Sequence, residues 1–426
     1  MLTALIVSLL ICFILNIPIG FSMGISSIIA IIASGNISLL ILLPQRMVAS
    51  MDSFPLLAIP LFMIAGAVME YGGVSKRIVE FSETLVGHIR GGLGSVSIIA
   101  CTFFAAISGS TPATAASIGS ITIPEMNKRG YPRDYSSAIV AASACLGVII
   151  PPSTVMVLVG VTGDISVGKL LIGGLIPGLF LSMLLIIANY FYAGKLNLPT
   201  SSKVGYKEVG KSFIDAVWAL IMPLIILGGI VSGIFTPTES AALAVVYGLF
   251  VGFFIYKELK IKDMITVFYK ASLNSAMVML LIGLAGVYGW VLTSCNVPTI
   301  VSNFIFSFSD STIVIYGLIL VFMLLLGCVM DTPSIIMLTI PILAPIMKSL
   351  GVDMVHFGVI VTIDLAIGMM TPPVGVSLFA TCAISGVTIA DISRRIWPYL
   401  IIMIFGLMVL LFIPELTTWL PNLLIK

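Results

Sequence analysis

Apolar stretches of about 20 residues follow one another along nearly the whole chain. An α-helix of this length rises ~30 Å, the thickness of the hydrocarbon core of a bilayer. Inside lipid every backbone N–H and C=O group must be paired within the protein, which favours helices. Only 9% of the residues are charged, whereas a soluble domain has roughly 25%. The sequence therefore predicts an all-α protein embedded in the lipid bilayer and excludes a water-soluble globule.

Ten of these stretches have the length and character of transmembrane helices. They cover residues 2–16, 17–35, 52–70, 134–163, 166–194, 212–232, 238–256, 271–293, 355–385 and 397–420. The first stretch continues past Pro18 into the second without a cleavage site, so we expect the N-terminal helix to be retained.

Two further apolar stretches, residues 91–128 and 311–348, are interrupted near the middle by polar residues and proline. Each is long enough for two half-helices, and we interpret both as re-entrant helical hairpins. Residues 74–90, ahead of the first hairpin, alternate charged and apolar side chains with helical spacing, as a helix lying at the membrane interface does. Residues 297–308 occupy the same place ahead of the second hairpin.

An internal repeat becomes visible when the sequence is shifted by 221 residues, because residues 111–179 then align with 332–400 without a gap. Identical pairs include five prolines. These are Pro112 with Pro333, Pro124 with Pro345, Pro151 with Pro372, Pro152 with Pro373 and Pro177 with Pro398. The repeat predicts two halves, residues 1–210 and 211–426, each with five crossings and one hairpin. Because five is odd, the second half is expected to be inverted in the membrane.

The positive charges test this topology. If both termini face outward, five segments face the cytoplasm, and they carry 16 of the 20 Lys and Arg residues. The segments are residues 71–90, 128–133, 195–211, 257–270 and 394–395. This distribution follows the positive-inside rule and predicts that both termini are periplasmic. The first hairpin is then expected to open inward and the second outward.

Paired prolines interrupt two of the predicted crossings at equivalent places. Residues 147–153 read GVIIPPS and residues 368–375 read GMMTPPVG. Proline removes a backbone hydrogen bond, so the freed carbonyls must find protein, water or an ion. Broken helices of this kind coordinate Na⁺ with their carbonyls and anionic groups with their N-termini. The alternative is a packing kink, which a symmetric pair makes less attractive.

The hairpin tips read SGSTP at residues 108–112 and MDTPS at 330–334, so that Ser110 corresponds to Asp331. An ionisable group inside a membrane is expensive and is a functional candidate, which makes Asp331 a candidate cation or coupling residue with Ser110 as a hydroxyl ligand. Asp331 could also simply cap the following half-helix. Asp364, inside the ninth crossing, is the other acid of this kind, and pairing with a nearby hydroxyl is its alternative role.

Several function classes are excluded. The chain has no G-x-x-x-x-G-K-[ST] loop for ATP and no catalytic Ser/His/acid set or H-E-x-x-H motif, so we expect neither an enzyme nor an organic cofactor. A net charge of +2 gives no basic surface for nucleic acid. Energy for transport would come from an ion gradient or from a partner.

Five motifs stand out along the chain, namely GSTPATAASIGSITIPEM (109–126), GVIIPPS (147–153), FTPTESAA (235–242), MDTPSIIMLTIPILAPI (330–346) and GMMTPPVGVSLF (368–379). Together they resemble the large membrane subunit of tripartite ATP-independent periplasmic (TRAP) transporters. The resemblance implies an elevator-type secondary transporter of the bacterial inner membrane that uses Na⁺ to take up an organic acid, such as sialic acid or a C4-dicarboxylate. It also implies two protein partners, a periplasmic substrate-binding protein and a separate small membrane subunit of four helices.

The resemblance further implies the positions of the sites. One Na⁺ site would lie around Ser108, Gly147 and Pro151. Its mirror would lie around Gly327, Gly368, Thr371 and Val374, with backbone carbonyls as most of the ligands. The substrate would be bound by Ser110, Thr111, Ser153, Asp331 and Thr332. Hairpins and broken helices would form the transport domain, and the remaining helices the scaffold.

Two other functions are compatible with the residues alone. A channel would conduct passively without the ion gradient or the binding protein. A receptor-like membrane subunit would bind partners without transport.

Overall fold

A computed structural model describes residues 1–200, 203–307 and 311–425, and in these ranges the regular structure is helical. Helices of the first half are α1 (Leu2–Ile14), α2 (Ile19–Ala33), α3 (Leu42–Met51), α4 (Ala58–Tyr71), α5 (Val74–Val86), α6 (Gly92–Ser108), α7 (Thr111–Lys128), α8 (Arg133–Ala144), α9 (Thr154–Thr162), α10 (Val167–Gly173) and α11 (Leu175–Lys195). Helices of the second half are α12 (Tyr206–Val231), α13 (Pro237–Phe250), α14 (Ile261–Ser294), α15 (Val297–Phe306), α16 (Thr312–Gly327), α17 (Thr332–Ser349), α18 (Met354–Gly368), α19 (Val376–Ser385), α20 (Ile389–Phe412) and α21 (Glu415–Leu424).

The predicted crossings coincide with helices. Seven helical segments of the described ranges are long and apolar enough to cross a membrane, and eight shorter apolar helices accompany them. Both predicted hairpins are helix pairs, α6–α7 and α16–α17, and the predicted interfacial segments contain α5 and α15. Phe308, the last residue of the second interfacial segment, lies outside the described residues. The prediction of an all-α membrane protein is confirmed.

Several predicted helix bounds are wrong. α12, α14 and α20 begin before residues 212, 271 and 397, because charged turns that hydropathy assigns to loops continue the helix beyond the lipid. The last predicted crossing, residues 397–420, ends at Phe412, and the separate helix α21 starts after Pro414. α3 was not predicted, because its hydrophobicity is low and Arg46 lies within it.

The shift of 221 residues also relates helix bounds. α7 and α17 each contain 18 residues and begin at Thr111 and Thr332. α8 and α18 each end at a break that precedes a Pro–Pro pair, and both Pro–Pro bonds are cis. The same local sequence thus produces the same sequence of helix, break and helix twice.

The charged loops lie together at one end of the molecule. Arg77 pairs with Glu258 at 2.8 Å and Arg129 with Glu83 at 2.8 Å. The hydroxyl of Tyr131 donates to the carbonyl of Pro199 at 2.7 Å. Arg395 pairs with Asp134 at 2.6 Å. The first three contacts connect four of the five segments for which the charge distribution predicts a common side, and Arg395 of the fifth pairs with the residue that follows segment 128–133.

Candidate functional site

A cavity of about 210 Å³ lies where the two hairpins meet the two broken helices. α4 and α14 complete its wall through Ile59, Met63 and Val278. Residues from the hairpins and broken helices that line it are Ser110, Thr111, Pro112, Val148, Thr154, Val155, Leu158, Asp331, Thr332, Pro333, Met369 and Val376. Segments far apart in sequence therefore converge on one site.

Four helices begin at this cavity. α7 starts at Thr111, α9 at Thr154, α17 at Thr332 and α19 at Val376, and each of these residues lines the cavity. The N-terminus of a helix presents unpaired N–H groups and a partial positive charge. Lys and Arg are absent from the lining that the structure describes. An anion in the cavity would therefore be held by backbone groups and hydroxyls.

Thr111 and Thr332, which correspond in the repeat, are buried, and the hydroxyl oxygen of each has no hydrogen-bond partner among the described residues. An unpaired buried hydroxyl costs roughly 1–3 kcal/mol. Both residues line the cavity, and their hydroxyl oxygens are buried in its wall.

The two hairpin tips differ as the sequence predicts. Asp331 caps α17, because its carboxylate accepts from the backbone N–H of Ser334 at 3.2 Å and from its hydroxyl at 2.7 Å. Ser110 occupies the equivalent position at α7 but makes no side-chain capping bond. The capping interpretation of Asp331 is thus confirmed, and the same side chain also lines the cavity.

A cluster of oxygens lies beside the first break. The hydroxyls of Ser108 and Thr114 are 2.9 Å apart, and Thr114 also donates to the carbonyl of Ser110 at 2.8 Å. A Cβ atom at Gly147 would lie 2.7 Å from that carbonyl, so only glycine lets the broken helix approach so closely. Ser108 and Gly147 therefore lie close together at the first break. Pro151 is buried and does not line the central cavity.

The second break is built from backbone contacts. A Cβ atom at Gly368 would lie 2.7 Å from the Cα of Gly327, so hairpin and broken helix touch through two glycines. The N–H of Gly375 donates to the carbonyl of Cys328 at 3.4 Å. Thr371 and Val374 lie in the half-buried turn that follows. Under the 221-residue shift, Val329 and Ile335 correspond to Ser108 and Thr114. The second break therefore has no hydroxyls at those two positions.

At each break, a serine hydroxyl donates a hydrogen bond to a backbone carbonyl that the break leaves without a helical partner. Ser153 donates to the carbonyl of Val148 at 2.6 Å and caps α9, while Ser377 donates to the carbonyl of Met369 at 2.8 Å. Val148 and Met369 correspond under the 221-residue shift. Ser153 is fully buried and does not line the cavity, so the structure does not bring it to the other predicted substrate residues.

Sequence reasoning missed three polar residues of the site, namely Thr114, Thr154 and Ser377. Thr154 ties the first broken helix to the first hairpin tip, because its hydroxyl donates to the carbonyl of Gly109 at 2.9 Å. Thr114 and Ser377 lie inside the quoted motifs, and Thr154 directly follows the motif that ends at Ser153. The available signals were the helical spacing of Thr114 from Thr111 and the position of Thr154 next to the Pro–Pro pair.

The fold and the cavity define a multi-pass membrane protein of the transporter type, with two broken helices and two hairpins around a central site. Residues 6–416 match the family model described as "Tripartite ATP-independent periplasmic transporter, DctM component". The chain belongs to this family, and it is the large permease component of a TRAP transporter rather than an enzyme.

Similar proteins cover most of the chain. The isethionate TRAP transporter permease protein DctMQ of Oleidesulfovibrio alaskensis is 40% identical over 410 residues, which are 94% of this chain and 63% of that one. The C4-dicarboxylate TRAP transporter large permease protein DctM of Pseudomonas aeruginosa is 37% identical over 396 residues (91% and 93%). The sialic acid TRAP transporter permease protein SiaT of Haemophilus influenzae is 34% identical over 422 residues (99% and 68%).

The chain spans less than two thirds of the DctMQ protein. The crystal structure of the Alcanivorax borkumensis YdaH transporter has the same fold, with a TM-score of 0.63, 13% identity and 88% of each chain covered.

Proposed function

We propose that this permease is a symporter. A Na⁺ gradient drives the uptake of a small carboxylate, and both solutes move inward together. The observation that carries the proposal is the cavity in which four helix N-termini surround the unpaired hydroxyls of Thr111 and Thr332. A partial positive field with hydroxyl donors suits a carboxylate group.

The Asp331 carboxylate explains why a cation would accompany the substrate. Asp331 lies at the same cavity, and an anionic substrate beside it is repelled unless a cation neutralises one of the charges. Na⁺ prefers oxygen ligands, as hard cations do. Substrate binding would therefore be weak without Na⁺, which couples the two solutes.

Two Na⁺ sites of unequal chemistry fit the breaks. The first would use the oxygens of Ser108, Thr114 and Ser110 beside Gly147. The second would use backbone carbonyls around Gly327 and the turn from Gly368 to Val374, because hydroxyls are few there. Pro151 contributes by freeing carbonyls rather than as a ligand.

The cavity volume favours a small organic acid. At about 210 Å³ the cavity is smaller than the ~300–1,000 Å³ of pockets for drug-sized ligands. A C4-dicarboxylate matches this volume better than sialic acid does. Relatives at similar identity carry names with isethionate, C4-dicarboxylate, sialic acid and 2,3-diketo-L-gulonate, so identity alone does not decide among them.

The mechanism we propose is an elevator. Hairpins and broken helices would move as one transport domain against the scaffold helices α1, α2, α12 and α13, within two inverted repeats and with both termini in the periplasm. A periplasmic substrate-binding protein would deliver the acid, and a small membrane subunit of four helices would complete the complex.

The test is reconstitution of the chain with both partners in proteoliposomes. We expect an inward Na⁺ gradient to accumulate a labelled C4-dicarboxylate above equilibrium, and Asp331→Ala to abolish accumulation while leaving the complex assembled. Voltage-driven flux without Na⁺ or binding protein would instead show a channel. Wild-type uptake by Asp331→Ala would disprove the role given to that carboxylate, and accumulation of sialic acid alone would disprove the argument from volume.

A further inference from the structure

Asp364 lies in α18, away from the central cavity, and is buried without a partner. Its exposed fraction is 1%, and it makes neither a hydrogen bond nor an ion pair with any described residue. A carboxylate in such surroundings costs several kcal/mol unless a positive charge neutralises it. The alternative role considered from sequence, pairing with a nearby hydroxyl, is therefore wrong for the described residues.

The neighbouring helix α16 contributes a second unpaired oxygen. Tyr316 is 4% exposed, and its hydroxyl has no partner among the described residues. Its ring packs on Phe357 with 6.1 Å between ring centroids. Phe357 and Asp364 are seven residues apart, two helical turns, and therefore lie on the same face of α18. Tyr316 and Asp364 thus share the interface between α16 and α18.

Other ionisable groups near Asp364 are few. Tyr316 of α16 and Cys328, the residue directly after that helix, interact electrostatically with its carboxylate. α9, α10, α17, α20 and α21 also pack on α18. In the described ranges, none of them places a Lys or Arg within ion-pair distance of Asp364. In the described ranges, no side chain therefore supplies a positive charge to Asp364.

A second cavity borders the interface between α16 and α18. It has a volume of about 270 Å³ and is lined by Tyr316, Asp353, His356 and Phe412, among others. Phe412 ends α20, whose other end carries Arg395 in the charged loops, so the cavity opens at the opposite end of the molecule. Tyr316 therefore lies both in the wall of this cavity and at the interface of α16 and α18 that contains Asp364.

The first half of the chain shows that the fold does not require an acid here. Ser143 corresponds to Asp364 under the 221-residue shift, and its hydroxyl donates to the carbonyl of Ile139 at 2.6 Å within its own helix. The same helix therefore forms with a small, fully paired side chain. Asp364 adds a charge that packing does not need.

We propose that Asp364 is the anionic ligand of an additional binding site for a desolvated monovalent metal cation, which enters through the cavity beside Tyr316. One carboxylate balances one positive charge, and carboxylate and hydroxyl oxygens are the ligands that hard cations prefer. Asp364 lines neither the central cavity nor the oxygen cluster at Ser108, and it lies one helical turn before Gly368, where the second break begins.

The experiment measures binding of radioactive sodium to the purified chain in lipid nanodiscs, without partners or substrate. Asp364→Asn is expected to lower the Na⁺ bound at saturation by about one ion per chain, since a neutral amide is a poor ligand for a desolvated cation. Ser143→Ala, the matched control in the first half, is expected to bind as much Na⁺ as the wild type. Thermal unfolding in Na⁺-free buffer checks that both variants are folded.

Unchanged Na⁺ binding by Asp364→Asn would overturn the inference and would leave Asp364 as a protonated, structural side chain. The first break is scored independently by Ser108→Ala, so loss of binding there alone would support the coupling site proposed at that break and refute this one. If Asp364→Asn does not fold, Asp364→Glu decides. Its longer carboxylate is expected to change the preference for Na⁺ over Li⁺ by roughly threefold or more, and an unchanged preference contradicts the site.

Discussion

The region around Asn189 in the first half and the region around Asp364 in the second half lie at related places in the repeat. The Asn189 side chain is fully hydrogen-bonded, whereas the Asp364 side chain has no partner among the described residues. Asn189 is fully buried and uses all four of its hydrogen-bonding positions. Its oxygen accepts from the hydroxyls of Tyr135 and Tyr399, and its nitrogen donates to the carbonyl of Gly91 and the hydroxyl of Ser95, both at 3.0 Å.

At the shifted positions the second half has Tyr316 for Ser95, His356 for Tyr135 and Leu410 for Asn189. His356 contacts the hydroxyl of Thr417 at 2.8 Å, but the hydroxyl of Tyr316 has no partner among the described residues. The polar network at Asn189 is thus closed and joins α6, α8, α11 and α20 across both halves, whereas Tyr316 and Asp364 remain unpaired in the described residues. The first region holds helices together, and the second is the one for which we propose a cation.

The largest expected effect comes from Asn189→Leu, which copies Leu410 into the first half. Four polar groups on α6, α8 and α20 would lose their partner, and we expect a loss of about 3 kcal/mol or more in unfolding free energy. Thermal unfolding in detergent measures it. Ser136→Ala, which removes one bond to Pro132 within a single helix, is the control. Equal melting temperatures for the two variants would contradict the closed network.

Gly368→Ala tests the glycine contact at the second break. Its Cβ would lie 2.7 Å from the Cα of Gly327, a backbone atom that cannot turn away, so a cost of about 1–3 kcal/mol and loss of Na⁺-driven uptake are expected. Gly317→Ala in α16 has no neighbour within 4 Å and should be harmless. Uptake by Gly368→Ala at the level of Gly317→Ala would show that close approach is unnecessary.

Thr114→Val makes the first break resemble the second, where Ile335 stands. It removes the hydroxyl beside Ser108, and we expect the Na⁺ concentration for half-maximal uptake to rise about tenfold, or about 1.4 kcal/mol. Thr122→Val, on the same helix but bonded to the carbonyl of Ile118, is the control. An unchanged Na⁺ dependence would exclude the hydroxyl cluster as a cation site.

The smallest effect on stability is expected for Thr332→Val. Removing an unpaired buried hydroxyl should leave unfolding free energy within about 1 kcal/mol of the wild type or raise it, while substrate half-saturation rises severalfold. Thr339→Val on the same helix loses a bond to the carbonyl of Ile335 and should show the reverse pattern. A destabilised Thr332→Val with normal uptake would mean that the hydroxyl is structural.

Much of the fold was predictable because lipid permits few solutions. Apolar length identifies the helices, and the proline pairs identify the breaks, since both follow from local backbone hydrogen bonding. The hairpin tips and the N-cap at Asp331 could be predicted from the sequence for the same reason. Helix starts such as Ile261 and the helix α3 were not, because hydropathy reports burial in lipid and not where hydrogen bonding begins.

Side-chain partners mark the limit of what can be inferred from residues alone. The all-helical membrane fold, the repeat, the positions of the breaks and the family all follow from the residues. The packed structure is needed to see that Ser153 pairs inward with Val148, that Thr111 and Thr332 have no partner in the described residues, and that Asp364 is unpaired at the interface of α16 and α18. The physical reason is that a helix is satisfied locally, whereas a buried side chain is satisfied only by whatever the other helices bring within about 3 Å of it.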